Sequence, residues 1–270
     1  METIGFIGAG NMAEAMINGV LKAKVYRPGK VLISDLRQSR LDYLRDHYGV
    51  RPAVNNAELA AKAEIIVLSV KPQNMTDALE SIKNYIKQDA LIISIAAGVK
   101  TTDICEILGD MAIVRVMPNM PAWVDEGAAV LYPNEKATEK IEKARLIFLS
   151  VGKAEVLEDE GMLDAATAVN GSGPAYFFLL IDEMIKASVA LGLSEEVSRD
   201  LVIQTGKGAT LLAEKEAESG VTPAELTKKV ATPNGTTEAA FNVFAEHDFS
   251  SIVSKAMHRA AQRSRELSSS

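Results

Sequence analysis

The residues of this sequence with types and spacing suited to chemistry are mainly glycines, hydroxyls and amides rather than the usual nucleophiles. Gly8-Ala9-Gly10-Asn11-Met12-Ala13 fits G-x-G-x-x-A. The apolar run Ile4 to Ile7 before it reads as a buried strand. Met16, Ile17, Val20 and Leu21 after it fall on one face of a helix. Strand, glycine turn and helix open a dinucleotide-binding βαβ unit. Gly8 permits the sharp turn, Gly10 lets a pyrophosphate approach the backbone, and Ala13 lets the helix pack against the strand. Free N–H groups and the positive end of the helix dipole then face the phosphates. The alternative is a structural glycine turn. Against it, Lys30 to Asp35 reads as a second strand ending in an acid, about 20 residues on, where such folds hold the ribose 2′-hydroxyl. Asp35 favours NAD(H) because it repels a 2′-phosphate. Arg37 and Arg40 follow, and each is either a partner for that phosphate or part of a solvated helical turn.

Two more turns end at helix starts and carry hydroxyls: Gly171-Ser172-Gly173-Pro174-Ala175-Tyr176 and Thr232-Pro233-Asn234-Gly235-Thr236-Thr237-Glu238. Each is a carboxylate site by its exposed N–H groups, or an ordinary cap. Nucleophiles and metal ligands are scarce. Cys105 is the single cysteine and reads as a small buried side chain. His47, His247 and His258 show no metal-ligand spacing, so no metal is expected.

The elements that must position these residues fall into two halves. Further buried strands are expected near Ala53-Val54, over Glu64–Val70, Ala90–Ile95 and Ala112–Met117, then Gly127–Tyr132 and Lys153–Leu157. A helix is expected from Met75 to Ile86, and Asn56 either caps a helix or reaches the cofactor. The carboxyl ends of the strands, where an open parallel sheet binds ligands, are small or polar loops. After about residue 160 the strand signal ends. The reading is an α/β chain with a Rossmann NAD(P)-binding domain at 1–160 and an all-helical domain at 161–270. In the helical half, Phe177, Phe178, Leu180, Ile181, Ile185, Val189 and Leu191 leave only a narrow charged sector, which suggests a subunit interface. Ser268 to Ser270 reads as a frayed tail.

The chain has 270 residues, 47% hydrophobic and 24% charged, with a net charge of −7. That charge gives no electrostatic case for nucleic acid or an anionic membrane as partner. No run approaches the roughly 20 apolar residues of a membrane span. With a strand at the start and no signal peptide, a cytoplasmic protein is expected.

Ile4–Met12, Val70-Lys71-Pro72, Ala96-Ala97-Gly98-Val99, Met117-Pro118-Asn119, Gly171–Tyr176 and Thr232–Thr237 together resemble the pyrroline-5-carboxylate reductase family, in order over nearly the whole chain. The resemblance implies NAD(P)H-dependent reduction of the C=N bond of 1-pyrroline-5-carboxylate to L-proline, the last step of proline biosynthesis. It also implies a helical dimerisation domain, in a family whose dimers often assemble into decamers. By position, Gly8, Gly10, Asn11 and Met12 match the pyrophosphate loop and Ser34 the adenosine ribose. Asn56, Val70, Lys71, Pro72, Ala96 and Ala97 match further cofactor contacts. Ala97 and Asn119 lie where nicotinamide meets substrate. Gly235, Thr236 and Thr237 match the turn that holds the substrate, with Thr237 as the catalytic candidate. Asn234 stands where the family commonly has glycine, and asparagine tolerates left-handed backbone. Asp35 and Arg37 pull the cofactor preference in opposite directions; NADPH is favoured narrowly, with NADH also used.

An imine can be protonated before hydride arrives, so the absence of histidine from the candidate loops suits this chemistry better than carbonyl reduction, which needs a positioned acid. Two rivals remain. A β-hydroxyacid dehydrogenase would place a lysine one turn after the glycine pair, where Phe177 stands here. A non-catalytic NAD(P)-binding protein would not need the hydroxyl-rich turn at Thr232–Thr237.

Overall fold

Alternating apolar side chains decide the sheet. In β1 (Ile4–Ile7), β2 (Val31–Ser34), β4 (Ile65–Leu68), β5 (Leu91–Ser94) and β6 (Ala112–Met117), nearly every residue is buried. Ile4, Phe6, Val31, Ile33, Ile65, Val67, Leu91, Ile93 and Val114 point into one core. Ile7, Leu32, Ile66, Leu68, Ile92 and Ile113 point into a second core. A sheet covered on both faces requires strands that are apolar on both faces, which is why these read as continuous runs.

The computed structural model describes residues 2–268. Its eight strands run in the order β3-β2-β1-β4-β5-β6-β7-β8, where β3 is Arg51–Pro52, β7 Gly127–Pro133 and β8 Gly152–Val156. The pairs from β3 through β6 are parallel; β7 runs antiparallel to β6, and β8 parallel to β7. The order reverses between β1 and β4, and a crevice opens at such a switch point, outside the carboxyl ends of the strands. The helices of this part are α1 (Asn11–Lys22), α2 (Gln38–Tyr48), α3 (Asn56–Lys62), α4 (Met75–Ile82), α5 (Thr101–Leu108) and α6 (Ile141–Leu149).

Three expectations shift. The third strand lies at Arg51–Pro52, not Ala53-Val54. Pro52 has no N–H, so it sits on the sheet edge, and the Ala53 N–H bonds the Ile33 carbonyl where the strand ends. The helix from Met75 stops at Ile82 and continues to Ile86 as turns. Asn55, not Asn56, caps α3 by accepting the Glu58 N–H.

Two compact units are present. The first runs to Pro174 and resumes at His258; the second spans Ala175–Met257. The expected division at 160/161 precedes α7 (Met162–Ala166) and a π-helical turn, Thr167–Gly171, both in the first unit. The second unit is helical, with most of α8 (Gly173–Ala190), all of α9 (Glu195–Ala217), α10 (Pro223–Val230) and α11 (Thr236–Glu246), and the start of α12 (Phe249–Leu267). Phe177 and Leu179 of α8 are 63% and 62% exposed. Among the described residues, Val202 is the one buried hydrophobic side chain between Ala175 and Met257. A helical unit with so little interior leaves its apolar faces to a partner. Of the serine tail, Ser268 bonds back to the Ser264 carbonyl, while residues 269–270 lie outside the described residues.

The pairing of β7 with β8 depends on backbone contact. A Cβ on Gly152, at φ +145°, would lie 1.9 Å from the Gly127 carbonyl oxygen. Gly152→Ala is expected to cost about 3 kcal/mol of stability, measured by urea denaturation.

Candidate functional site

The first site is the turn between β1 and α1. Gly8 adopts φ +88°, and a Cβ there would stand 2.7 Å from the Ser69 carbonyl oxygen. The loops after β1, β2 and β4 are stitched together at this point. The Gly8 N–H donates to the Ser34 carbonyl at 2.8 Å, and the Ser69 hydroxyl donates to the Gly8 carbonyl at 2.5 Å. The Ala9 N–H donates to Asp35 Oδ2 at 2.8 Å. Gly10, the N-cap of α1, has open space where a side chain would project. Asn11 is exposed and Met12 half-buried. The first N–H groups of a helix have no intrahelical acceptor, so the turn presents donors over an open surface.

At the end of β2 the two charges named from the sequence pair with each other. The Asp35 carboxylate accepts from the Arg37 N–H at 2.9 Å, from Nε at 3.0 Å and from Nη2 at 3.2 Å. Burial opposes ionisation of Asp35, but the bonds from Arg37 and the Ala9 N–H outweigh it and hold the carboxyl below its usual range. Arg37 remains well exposed. Arg40 is engaged within the protein: its Nε–H donates to the Ala9 carbonyl at 2.6 Å, and its guanidinium pairs with Glu14. Ser34 donates to Asn56 Oδ1 at 2.7 Å, and Asn56 Nδ2 donates to Ser81 Oγ at 3.0 Å.

Val70, Lys71 and Pro72 follow β4; Lys71 is exposed and precedes the short 3-10 turn Pro72–Asn74 without a side-chain bond to it. After β5, Ala96 is buried and Ala97 exposed. Gly98 follows at φ +77°, and a Cβ there would meet the Leu267 carbonyl oxygen at 3.0 Å. Asn119, after β6, is buried, and its amide holds two segments. Oδ1 accepts the Ala128 N–H at 2.8 Å, and Nδ2 donates to the Asn170 carbonyl at 3.1 Å.

Several residues of this region were not singled out from the sequence. Asn170, in the π-helical turn, donates Nδ2 to the carbonyls of Met117 at 2.7 Å and Ala128 at 2.9 Å, while its Oδ1 has no partner among the described residues. The Glu160 carboxylate accepts from the Thr101 N–H and hydroxyl, both at 2.9 Å, and from the buried Arg115 at 3.1 Å. Glu14 accepts from the Tyr48 hydroxyl at 2.9 Å; burial and this bond push the tyrosine pKa up to about 12. A charge among Ala13, Ala15, Met16 and Ile17 is the signal in the sequence that marks Glu14. Among the described residues no group of His, Cys, Asp or Glu side chains is arranged to hold a metal, and no helix is long and apolar enough to cross a membrane.

The second unit carries the other turn. Asn234 takes φ +59°, and its N–H donates to Glu238 Oε2 at 2.8 Å. A Cβ on Gly235 would lie 2.6 Å from Thr232 Oγ1. Gly235 is the N-cap of α11 and has no side-chain cap bond; Thr236 and Thr237 are its first two residues. Neither threonine occupies the cap position.

Asn170 supplies a test of the first unit. In Asn170→Asp an oxygen replaces the Nδ2 that faces the Met117 and Ala128 carbonyls. The variant is expected to lose about 3 kcal/mol at neutral pH, read from urea denaturation.

Comparison with known proteins adds family relationships to this geometry. Residues 160–267 match the family model for pyrroline-5-carboxylate reductase dimerisation, and residues 3–98 match that for NADP oxidoreductase coenzyme F420-dependent. The chain is 42% identical to pyrroline-5-carboxylate reductase of Pseudomonas aeruginosa, over 98% of this chain and 96% of that one. A solved pyrroline-5-carboxylate reductase from Coxiella burnetii superposes with a TM-score of 0.91 at 34% identity, covering 99% of this chain and 98% of that one. A Plasmodium falciparum pyrroline carboxylate reductase, solved with NADP bound, gives 0.88 at 30% identity, with coverage of 99% and 98%.

Proposed function

This chain belongs to the pyrroline-5-carboxylate reductase family, and from that premise we propose how its own residues serve the reaction. The activity is NAD(P)H-dependent reduction of 1-pyrroline-5-carboxylate to L-proline. The observation that carries the cofactor assignment is the turn at Gly8–Met12: glycine at a positive φ, open space at Gly10, and a helix start facing outward. When bound, the nicotinamide supplies hydride to the C=N carbon. Gly8, Gly10, Asn11 and Met12 hold the pyrophosphate, Ser34 and Asn56 border the adenosine ribose, and Val70, Lys71, Pro72, Ala96 and Ala97 line the path to the nicotinamide.

Substrate is held by the Gly235–Thr237 turn. Backbone N–H groups bind the carboxylate, and the Thr237 hydroxyl oxygen accepts a hydrogen bond from the protonated ring nitrogen. Support comes from Gly235 as cap, which leaves both threonine hydroxyls outside the cap position. Asn119 acts beside Ala97 as a shaped wall, with its amide engaged in holding Ala128 and Asn170. An imine nitrogen is basic enough to arrive protonated, so orientation is the main demand.

NADPH is the favoured cofactor by a narrow margin, with NADH also accepted. The exposed Arg37 guanidinium is the partner for a 2′-phosphate, and Asp35 opposes it. The matched NADP oxidoreductase model and the NADP-bound Plasmodium falciparum relative support this side. The chain works as a homo-oligomer through the region of the dimerisation match, with α8 as the apolar face between subunits. Dimers stacked into a decamer, in the cytoplasm, complete the proposal.

Thr237→Val keeps the shape and removes the hydroxyl. Loss of a bond made in the transition state lowers kcat/KM tenfold for about every 1.4 kcal/mol, with cofactor binding unchanged. A variant that loses about 1 kcal/mol of stability while its kcat/KM for pyrroline-5-carboxylate stays intact makes Thr237 a helix-end residue only. Arg37→Ala is expected to raise the KM for NADPH more than for NADH. Equal effects in steady-state kinetics would make Arg37 a surface charge.

A further inference from the structure

We propose that Arg40, backed by Glu14 and Tyr48, positions the backbone that receives the cofactor pyrophosphate, by turning the Ala9 carbonyl into the protein and so the Gly10 N–H outward. The inference rests on the reading of Gly8–Met12 as the cofactor turn. Arg40 lies 30 residues further along the chain from Gly10 and approaches the turn from behind. Its Nε–H donates to the Ala9 carbonyl at 2.6 Å and its Nη2 to the Gly10 carbonyl at 3.4 Å. The side chain is 17% exposed, and the face of its guanidinium lies 5.2 Å from the centre of the Tyr43 ring.

The peptide unit is planar and trans, so a carbonyl and the N–H that follows it point in opposite directions. With the Ala9 carbonyl drawn inward, the Gly10 N–H faces outward. The Gly10 carbonyl also accepts the Glu14 N–H at 3.0 Å, so the first turn of α1 already sets the direction of the Asn11 N–H. A glycine has no side chain to limit its backbone, so the orientation of these peptides must be imposed from outside. Asp35 fixes the Ala9 N–H, Ser69 fixes the Gly8 carbonyl, the α1 bond from the Glu14 N–H fixes the Gly10 carbonyl, and Arg40 fixes the Ala9 carbonyl that remains.

The charge of Arg40 is balanced before any ligand arrives. Glu14, with a side chain 6% exposed, pairs with Nη2 and receives the Tyr48 hydroxyl on its other oxygen. An arginine so engaged acts through backbone direction and not as a free cation. It therefore does not distinguish the 2′-phosphate of NADPH from the 2′-hydroxyl of NADH.

The test uses the full-length protein and calorimetric titration with two fragments. ADP-ribose carries the pyrophosphate, and adenosine 2′-monophosphate carries only the 2′-phosphate. In Arg40→Met the Kd for ADP-ribose is expected to rise about tenfold or more, while that for adenosine 2′-monophosphate stays within about twofold. In steady-state kinetics the KM for NADPH and for NADH should rise by the same factor, with kcat at saturating cofactor retained. Glu14→Gln, which keeps the side chain's shape, should show the same pattern more weakly. If Arg40→Met does not fold, Arg40→Lys carries the test, because an ammonium cannot reproduce the fork that holds the Ala9 carbonyl and Glu14 together. Unchanged ADP-ribose affinity in a folded Arg40 variant overturns the proposal. A selective loss of adenosine 2′-monophosphate affinity also overturns it and makes Arg40 a phosphate clamp. Failure of the unaltered protein to bind ADP-ribose removes the cofactor reading itself, whatever the variants do.

Discussion

The Ser69 carbonyl stands where a side chain on Gly8 would be, and most of the first unit depends on that contact. Only a residue without Cβ lets β1 turn into α1 while the end of β4 passes behind it. The contact lies where the strand order reverses, so the three loops that converge there come from β1, β2 and β4. Their mutual hydrogen bonds engage the Gly8 and Ala9 N–H groups and the Gly8 carbonyl, and leave the N–H groups at the start of α1 facing out. Binding an anion then requires little rearrangement, because the polar groups that would repel it already have partners.

Buried charge follows the same rule elsewhere in this unit. Arg115 lies under the sheet end and is neutralised by Glu160, which also ties down the start of α5. The pair removes an isolated cation from the interior at the expense of a fixed geometry between β6, α5 and residue 160. Asn119 and Asn170 do similar work with amides, closing the backbone groups of β6 and β7 that no strand partner reaches.

The strands were legible because a doubly covered parallel sheet writes itself as runs such as Ile65-Ile66-Val67-Leu68. Gly8 was legible because turn chemistry is local. What was not legible depends on partners distant in sequence. Nothing near Arg40 shows that its acceptors are Ala9 and Gly10, and nothing near Glu160 points to Thr101 or Arg115. The Asn55 cap was missed in favour of its neighbour because two asparagines in succession satisfy the same local rule. Asp35 and Arg37 were both named, but their choice of each other is a matter of side-chain reach that spacing does not encode.

The return of residues 258–267 to the first unit bears on how the molecule is made. Leu267 backs the loop at Gly98, and Ser264 bonds Asp164 at 2.6 Å. On the ribosome the sheet is complete once β8 has emerged, yet those two supports are translated only after the whole of 175–257. A chain that stops before residue 258 therefore lacks both supports. The backing of the Ala96–Val99 loop is in this way tied to translation of the helical unit that precedes it.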